Sequence, residues 1–116
     1  MEVMSSVFDI AASGLRAASL RLDASAQNVA NANTPDYRPV SVAQRAVASG
    51  GVDARVLAPP DAQGEARLDR TLAGLSGTDL VRETVDRTVA AAAFRASLAV
   101  LRSADEQLGT LLDQKA

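Results

Sequence analysis

The chain has 116 residues, 47% of them hydrophobic but only 3% aromatic, with a formal net charge of -2 and neither cysteine nor histidine. That length fits one domain, and the missing residue types exclude disulfides, thiolate chemistry, histidine-containing metal sites and histidine acid–base catalysis. The 12 basic and 14 acidic residues are spread along the chain without a basic block, so there is no electrostatic footprint for nucleic acid.

Alanine dominates the apolar set. It favours helix but buries little area, which suits long helices packed closely side by side rather than a thick interior. The first residues, MEVMSSVFDIAASG, carry Glu2 and Asp9 and no positive n-region, unlike a Sec-type signal peptide. The longest apolar run, VAAAAF at 89–94, is far short of the ~20 residues of a membrane helix.

The first predicted element is a helix over 5–33, on the order of 40 Å long. Met1, Phe8, Leu15, Leu22 and Val29 recur at sevenfold spacing, interleaved with Met4, Ala11, Ala18, Ser25 and Ala32. This is a sustained heptad with large residues in one row and small ones in the other. Ser5 or Ser6 is the expected N-cap, and Asp9 favours the helix dipole. Gly14 interrupts the helix at about 1 kcal/mol against alanine; it either permits a close helix approach or is incidental. Thr34 precedes Pro35 and is pushed out of the α region, and Asn33 is the expected left-handed C-cap.

The middle of the chain reads as a short β-hairpin. YRPVSVAQRAVA and VDARVLA flank SGG at 49–51, strand-like runs about a glycine turn. Pro39 delays the first strand or confines it to an edge, and Pro59 ends the second. Residues 61–77 are polar and glycine-punctuated, a linker with a helical turn around 65–73.

A second long helix is expected from Thr78 or Asp79 to about residue 112, a rod of roughly 50 Å. Leu80, Phe94, Leu101 and Leu108 form one apolar row, with Ala91, Leu98 and Leu112 in the next. Val81, Val85, Val89, Ala92 and Ala99 widen the stripe, while Thr84, Arg87 and Asp105 interrupt the two rows. The fold class that follows is mainly α: an antiparallel, coiled-coil-like two-helix hairpin with a short central β-hairpin and linker. The divisions are 1–36, 37–77 and 78–116, together one structural domain. Met4, Phe8, Leu15, Leu22 and Val29 are expected to pack against Leu80, Val85, Phe94, Leu98, Leu101, Leu108 and Leu112. Such a hairpin leaves its flanks exposed, so the same residues are expected to serve an assembly interface between copies.

No catalytic motif is present: no GxSxG elbow, P-loop, GxGxxG after a strand, or HExxH. Asp105-Glu106 and the acidic residues at 61, 65 and 69 read as solvated faces, and Arg82, Arg87 and Arg102 as surface charges. The expectation is a non-enzyme with no cofactor, no metal and no small-molecule substrate. The first helix lacks the Lys/Arg-rich polar face of a membrane-surface helix.

The stretch SGLRAASLRLDASAQNVANANTPDY at 13–37 resembles the N-terminal signature of bacterial flagellar rod and hook axial proteins, in which a heptad helix leads into an Ala-Asn-x-x-Thr-Pro-Gly-Tyr type junction. Here Ala30, Asn31, Asn33, Thr34, Pro35 and Tyr37 match, with Asp36 where glycine is usual. GTDLVRETVDRTVAAAAFRASLAVLRSADEQLGTLL at 77–112 looks like the family's C-terminal helix. Asp79, Leu80, Glu83 or Thr84, and Val85 stand at its opening, Phe94 and Ala96 at its centre, and Ser103, Ala104, Asp105 and Leu108 at its end. Phe94 replaces the usual tyrosine and Ser97 the usual asparagine. VFDIA at 7–11 and GGVDARVLAPP at 50–60 are similar to the short proximal-rod member.

The resemblance implies a structural subunit of the flagellar basal-body rod. It would be made in the cytoplasm, exported by the flagellar type III apparatus without signal cleavage, and polymerise with itself and other axial subunits through its terminal helices. Asn28, Asn31, Asn33, Thr34, Pro35, Asp36 and Tyr37 are then the junction between inner coiled coil and outer segment, fixing the bend and hydrogen-bonding a neighbour. For the asparagines a simple helix C-cap stays open beside that contact role. The other reading of the whole chain is a helical-hairpin adaptor or export regulator that does not polymerise.

Overall fold

The computed structural model describes residues 2–59 and 74–115. It contains two long helices, α1 (Glu2–Ala30) and α2 (Leu80–Lys115), and two strands, β1 (Ser41–Ala46) and β2 (Val52–Leu57). The fold is mainly helical, as the heptads imply. The helices pair antiparallel and the strands form a short hairpin between them in sequence. The molecule is long and thin, 69 × 25 × 15 Å. Most of the linker expected at 61–77, with its helical turn at 65–73, lies outside the described residues.

α1 is the shared element: α2 packs along one of its sides and the β-hairpin on another, while α2 and the strands do not pack on each other. The buried apolar side chains among the described residues are all alanine: Ala11, Ala17, Ala18, Ala24, Ala90 and Ala104. The seam with α2 therefore runs along the small row of the α1 heptad (Ala11, Ala18, Ser25). Phe8, Leu15, Leu22 and Val29 are half-buried at its flank, with Met4 half-buried at its N-terminal end.

The opposing row of α2 is Glu83, Ala90, Ser97 and Ala104, at sevenfold spacing. Two contacts fix the register: Ser25 Oγ donates to the Glu83 carbonyl at 3.3 Å, and a methyl placed on Gly14 would lie 2.5 Å from Ser97 Oγ. Stepping by heptads from Ser25–Glu83 sets Ala18 opposite Ala90 and Ala11 opposite Ser97. Alanine and serine rows let the two backbones approach closely, and at Gly14 even a methyl is crowded.

The phase of α2 thus differs from the sequence expectation. Phe94, Leu98, Leu101 and Leu108 are half-buried, but Leu80, Val85 and Leu112 are exposed and take no part in the intrachain seam. The row through Ala91, Leu98 and Leu112 lies one residue past the true row. The cause is physical: four alanines at 90–93 are apolar on every face and carry no phase.

Two boundaries also shift. α1 already includes Glu2, so neither Ser5 nor Ser6 is its N-cap, and it ends at Ala30 rather than Asn33. The start of α2 follows expectation, because Asp79 Oδ1 accepts from the Val81 and Arg82 amides at 3.0 and 3.2 Å, the N-cap arrangement.

The hairpin is antiparallel with Ser41 opposite Leu57 and Ala46 opposite Val52. Its solvent face carries a directly opposed Arg45–Asp53 pair, Nε to Oδ2 3.4 Å. The tip docks on α1: the Val52 amide donates to Ser13 Oγ at 3.1 Å. Gly50 and Gly51 hold φ of 95° and 93°, and methyls there would meet the Ile10 side chain at 2.9 Å and Ser13 Oγ at 2.5 Å. Only glycine supplies both that backbone and that clearance.

Candidate functional site

At the end of α1 the chain leaves by successive turns. The Asn31 amide still reaches the Gln27 carbonyl, then Ala32 bonds Val29, Thr34 bonds Asn31 and Tyr37 bonds Thr34. The Asn31 side chain donates back to the Gln27 carbonyl at 2.9 Å and accepts from Thr34 Oγ1 at 3.1 Å. The last turn, Thr34-Pro35-Asp36-Tyr37, has proline second and a left-handed residue third, Asp36 with φ 58°. Those are the demands of a type II turn, where glycine is the ordinary third residue. The left-handed position is therefore Asp36, and Asn33, expected to fill it, does not. Asp36→Gly is expected to raise stability by about 0.5–1 kcal/mol, the relieved strain being partly offset by the freer unfolded chain. A urea melt of the two proteins reads this directly.

Asn28 is the centre of the junction and is almost wholly buried, 2% exposed. Its Nδ2 donates to the Val40 carbonyl at 2.8 Å and to Glu83 Oε1 at 2.8 Å. Its Oδ1 accepts from Tyr37 Oη at 3.0 Å and from the Val40 amide at 2.9 Å. A carboxamide offers two donor hydrogens and two lone pairs, and here all are used. The amide cannot be reversed, because the Val40 N–H needs an acceptor. The Asn28 carbonyl also accepts from Thr78 Oγ1 at 3.0 Å, and Gly77 N–H donates to the Tyr37 carbonyl at 2.8 Å. One residue thus ties the end of α1 to the entry of β1, the entry of α2 and the first turn of α2.

Burial, then the charge of Glu83, raises the Tyr37 pKa above the ordinary tyrosine value. The phenol therefore keeps the proton it donates to Asn28. A raised folded value means that stability is complete below the unfolded value, about 10, and is lost as pH rises through the folded one. Tyr37→Phe is expected to cost about 1 kcal/mol at neutral pH, since the Val40 amide still serves Asn28 Oδ1. Comparing melts from pH 8 to 11, the native chain should show an alkaline loss that Tyr37→Phe lacks.

The structure joins Asn28 to Tyr37 in the buried network and Asn31 to Thr34 in a separate exposed pair, and Asn33, Pro35 and Asp36 are exposed as Thr34 is. Thr78 and Ser76, both buried, and Glu83 as a side-chain partner were not anticipated as members of the site. A signal existed in the last case: Glu83 precedes Ala90, Ser97 and Ala104 at sevenfold spacing, and Asn28 lies about one helical turn after Ser25 of the facing row. Beside the junction lies a groove of ≈ 610 Å³ between β1 and the start of α2, lined by Arg21, Asn28, Val40, Val42 and Glu83 among others. The site joins elements through a closed hydrogen-bond network and holds no nucleophile–base pair. Among the described residues no group of three or more His, Cys, Asp or Glu could hold a metal ion, and no helix is long and apolar enough to cross a membrane.

Residues 8–38 match the family described as flagella basal body rod protein. The match covers most of α1 and the whole junction through Tyr37, and it stops before β1. It covers less than half of the chain, so it is a similarity to that family in the segment that builds the site. No curated protein matches the chain.

Proposed function

We propose that the chain is a structural subunit of the bacterial flagellar basal-body rod, akin to the short proximal-rod member. It is exported by the type III apparatus and polymerises through its two terminal helices. Residues 1–36 and 78–116 form the axial part, and 37–77 the outer segment. The family match names the class; the observation that carries polymerisation is the second apolar face of α2. Val81, Val85, Val89, Ala92, Ala96 and Ala99 are exposed and fall on one side of the helix, opposite the Ala90 row, with no charge among them. A helix apolar on two sides and packed on only one needs another partner. A core of alanines gives little burial to sustain a lone hairpin.

Val85 and Val89 are 56% and 50% exposed, so aspartate at both tests the face without opening the seam. Deleting the gene should stop flagellar assembly at the rod, and the Val85→Asp, Val89→Asp chain should not rescue it. Purified, that variant should keep its helicity and a stability within about 1 kcal/mol of the native chain. Normal swimming in the deletion strain would overturn the rod assignment. A folded, monomeric native chain would favour the adaptor reading.

A further inference from the structure

The pair of long helices forms a layer with two unlike sides. Each residue turns an α-helix by about 100°, and in antiparallel helices that turn runs toward the same side of their common plane. Leu15 and Leu22 follow the seam residues Ala11 and Ala18 by four, as Phe94 and Leu101 follow Ala90 and Ser97. All four therefore look out on one side of the layer, where Phe8 and Leu98 join them. Val89 and Ala96 precede Ala90 and Ser97 by one, so they turn to the other side, with Val85 and Ala92 beyond them.

The two sides are complementary. On the first, Phe8, Leu15 and Leu22 make one ridge and Phe94, Leu98 and Leu101 another. Every one of these residues is only half-buried, as are Ala12 and Ala91 beside them. The intrachain seam, lined with alanine and serine, thus leaves the largest apolar side chains incompletely covered, with Arg87 and Asp105 bounding the furrow at its two ends. On the second side, the α2 face from Val85 to Ala99 is exposed, carries no charge and projects small and β-branched side chains. A helix face of that kind fits a furrow between two ridges of larger residues.

We propose that copies of this chain stack with the valine face of α2 in one copy laid into the furrow between the Leu15 and Phe94 ridges of the next. The partner is a second copy of this chain, and the inference rests on the reading of the chain as a self-assembling subunit. The two surfaces lie on opposite sides of one layer, so each contact uses one of each and leaves one of each free. Such a contact is heterologous and propagates. Pairing α2 with α2 through the valines would be isologous, would close at two copies, and would leave both ridges half-covered. Stacking instead completes the burial of the phenylalanine and leucine side chains, which the alanine seam alone does not supply.

The chain has no cysteine, so a Val89→Cys chain takes a single benzophenone label on the valine face. A trace of it is mixed with isotopically heavy native chain, concentrated until assemblies sediment, and irradiated. The pellet is then digested and the adducts to heavy chain are mapped by mass spectrometry. The expected result is adducts on residues 8–22 of α1 at least several-fold more abundant than those on residues 81–92 of α2 or on the hairpin, 41–57. The reverse label, on Ala12→Cys, should mark residues 85–99 of the other copy, and it stands in if a label at Val89 keeps the chain out of assemblies. Assemblies in which the Val89 label marks chiefly 81–92 or the hairpin, or in which neither label marks its expected segment, overturn the stacking and leave self-assembly standing. A native chain that never sediments overturns both.

Discussion

Asn28→Ala is expected to destabilise the fold by about 3–4 kcal/mol, lowering the melting temperature by more than ~10 °C for a domain of this size. The size follows from what is stranded. The substitution removes the donors to the Val40 carbonyl and Glu83 Oε1 and the acceptor for Tyr37 Oη and the Val40 amide. Glu83 is only 8% exposed, and its carboxylate would lose a charge-assisted bond while staying in place. Asn28→Asp separates shape from chemistry. It nearly preserves the outline but sets a second carboxylate against Glu83, so it should be at least as damaging at neutral pH. It should recover in part as acid neutralises the pair. A double-mutant cycle with Glu83→Ala gives the decisive number. Coupling above about 1 kcal/mol is expected for groups in direct contact, and additive losses would show that the Asn28–Glu83 bond is not what holds the junction.

The junction was legible as a helix stop and as a family signature, but its inner structure was not. Asn31 and Thr34 bond within four residues along the chain, and local rules reach that far. Asn28 finds its partners in Tyr37, Val40, Thr78 and Glu83, up to 55 residues away. No propensity or capping rule addresses such pairs, so a C-cap and a buried hub looked alike. Asp36 was legible only as a turn residue, from the proline before it and the glycine usual at its place in the resembling family; the left-handed conformation expected at Asn33 is found at Asp36 instead. The hairpin was legible for the same kind of reason, from Pro39, Pro59 and the glycine pair at its tip.

The heptads raised a subtler difficulty. A repeat of large and small rows is ordinarily read with the large row inside, because large side chains gain most from burial. Here the small row is the seam, since Gly14 meets Ser97 and Ser25 meets Glu83, and a close approach leaves the leucines at the flank. In α2 the polar Glu83 and Ser97 disguise the seam row, and the alanine run erases the phase.

That phase makes the last prediction sharp. Ala90 is 0% exposed and Ala18, set opposite it by the heptad register, is 2% exposed, so both are enclosed and a larger side chain there must displace its neighbours. Ala90→Leu barely changes helix propensity and adds apolar surface, yet it is expected to cost about 2–3 kcal/mol, because the helices must separate to admit it. Ala92→Leu, two residues on and exposed, makes the same chemical change on the outward face. It should leave monomer stability within about 0.5 kcal/mol and alter only association between copies. Urea melts of both variants at a concentration where the chain is monomeric decide the matter. If Ala92→Leu is the costly one, the seam does not run through Glu83, Ala90, Ser97 and Ala104. The exposed valines of α2 would then face α1, and the face proposed for assembly would be the intrachain core.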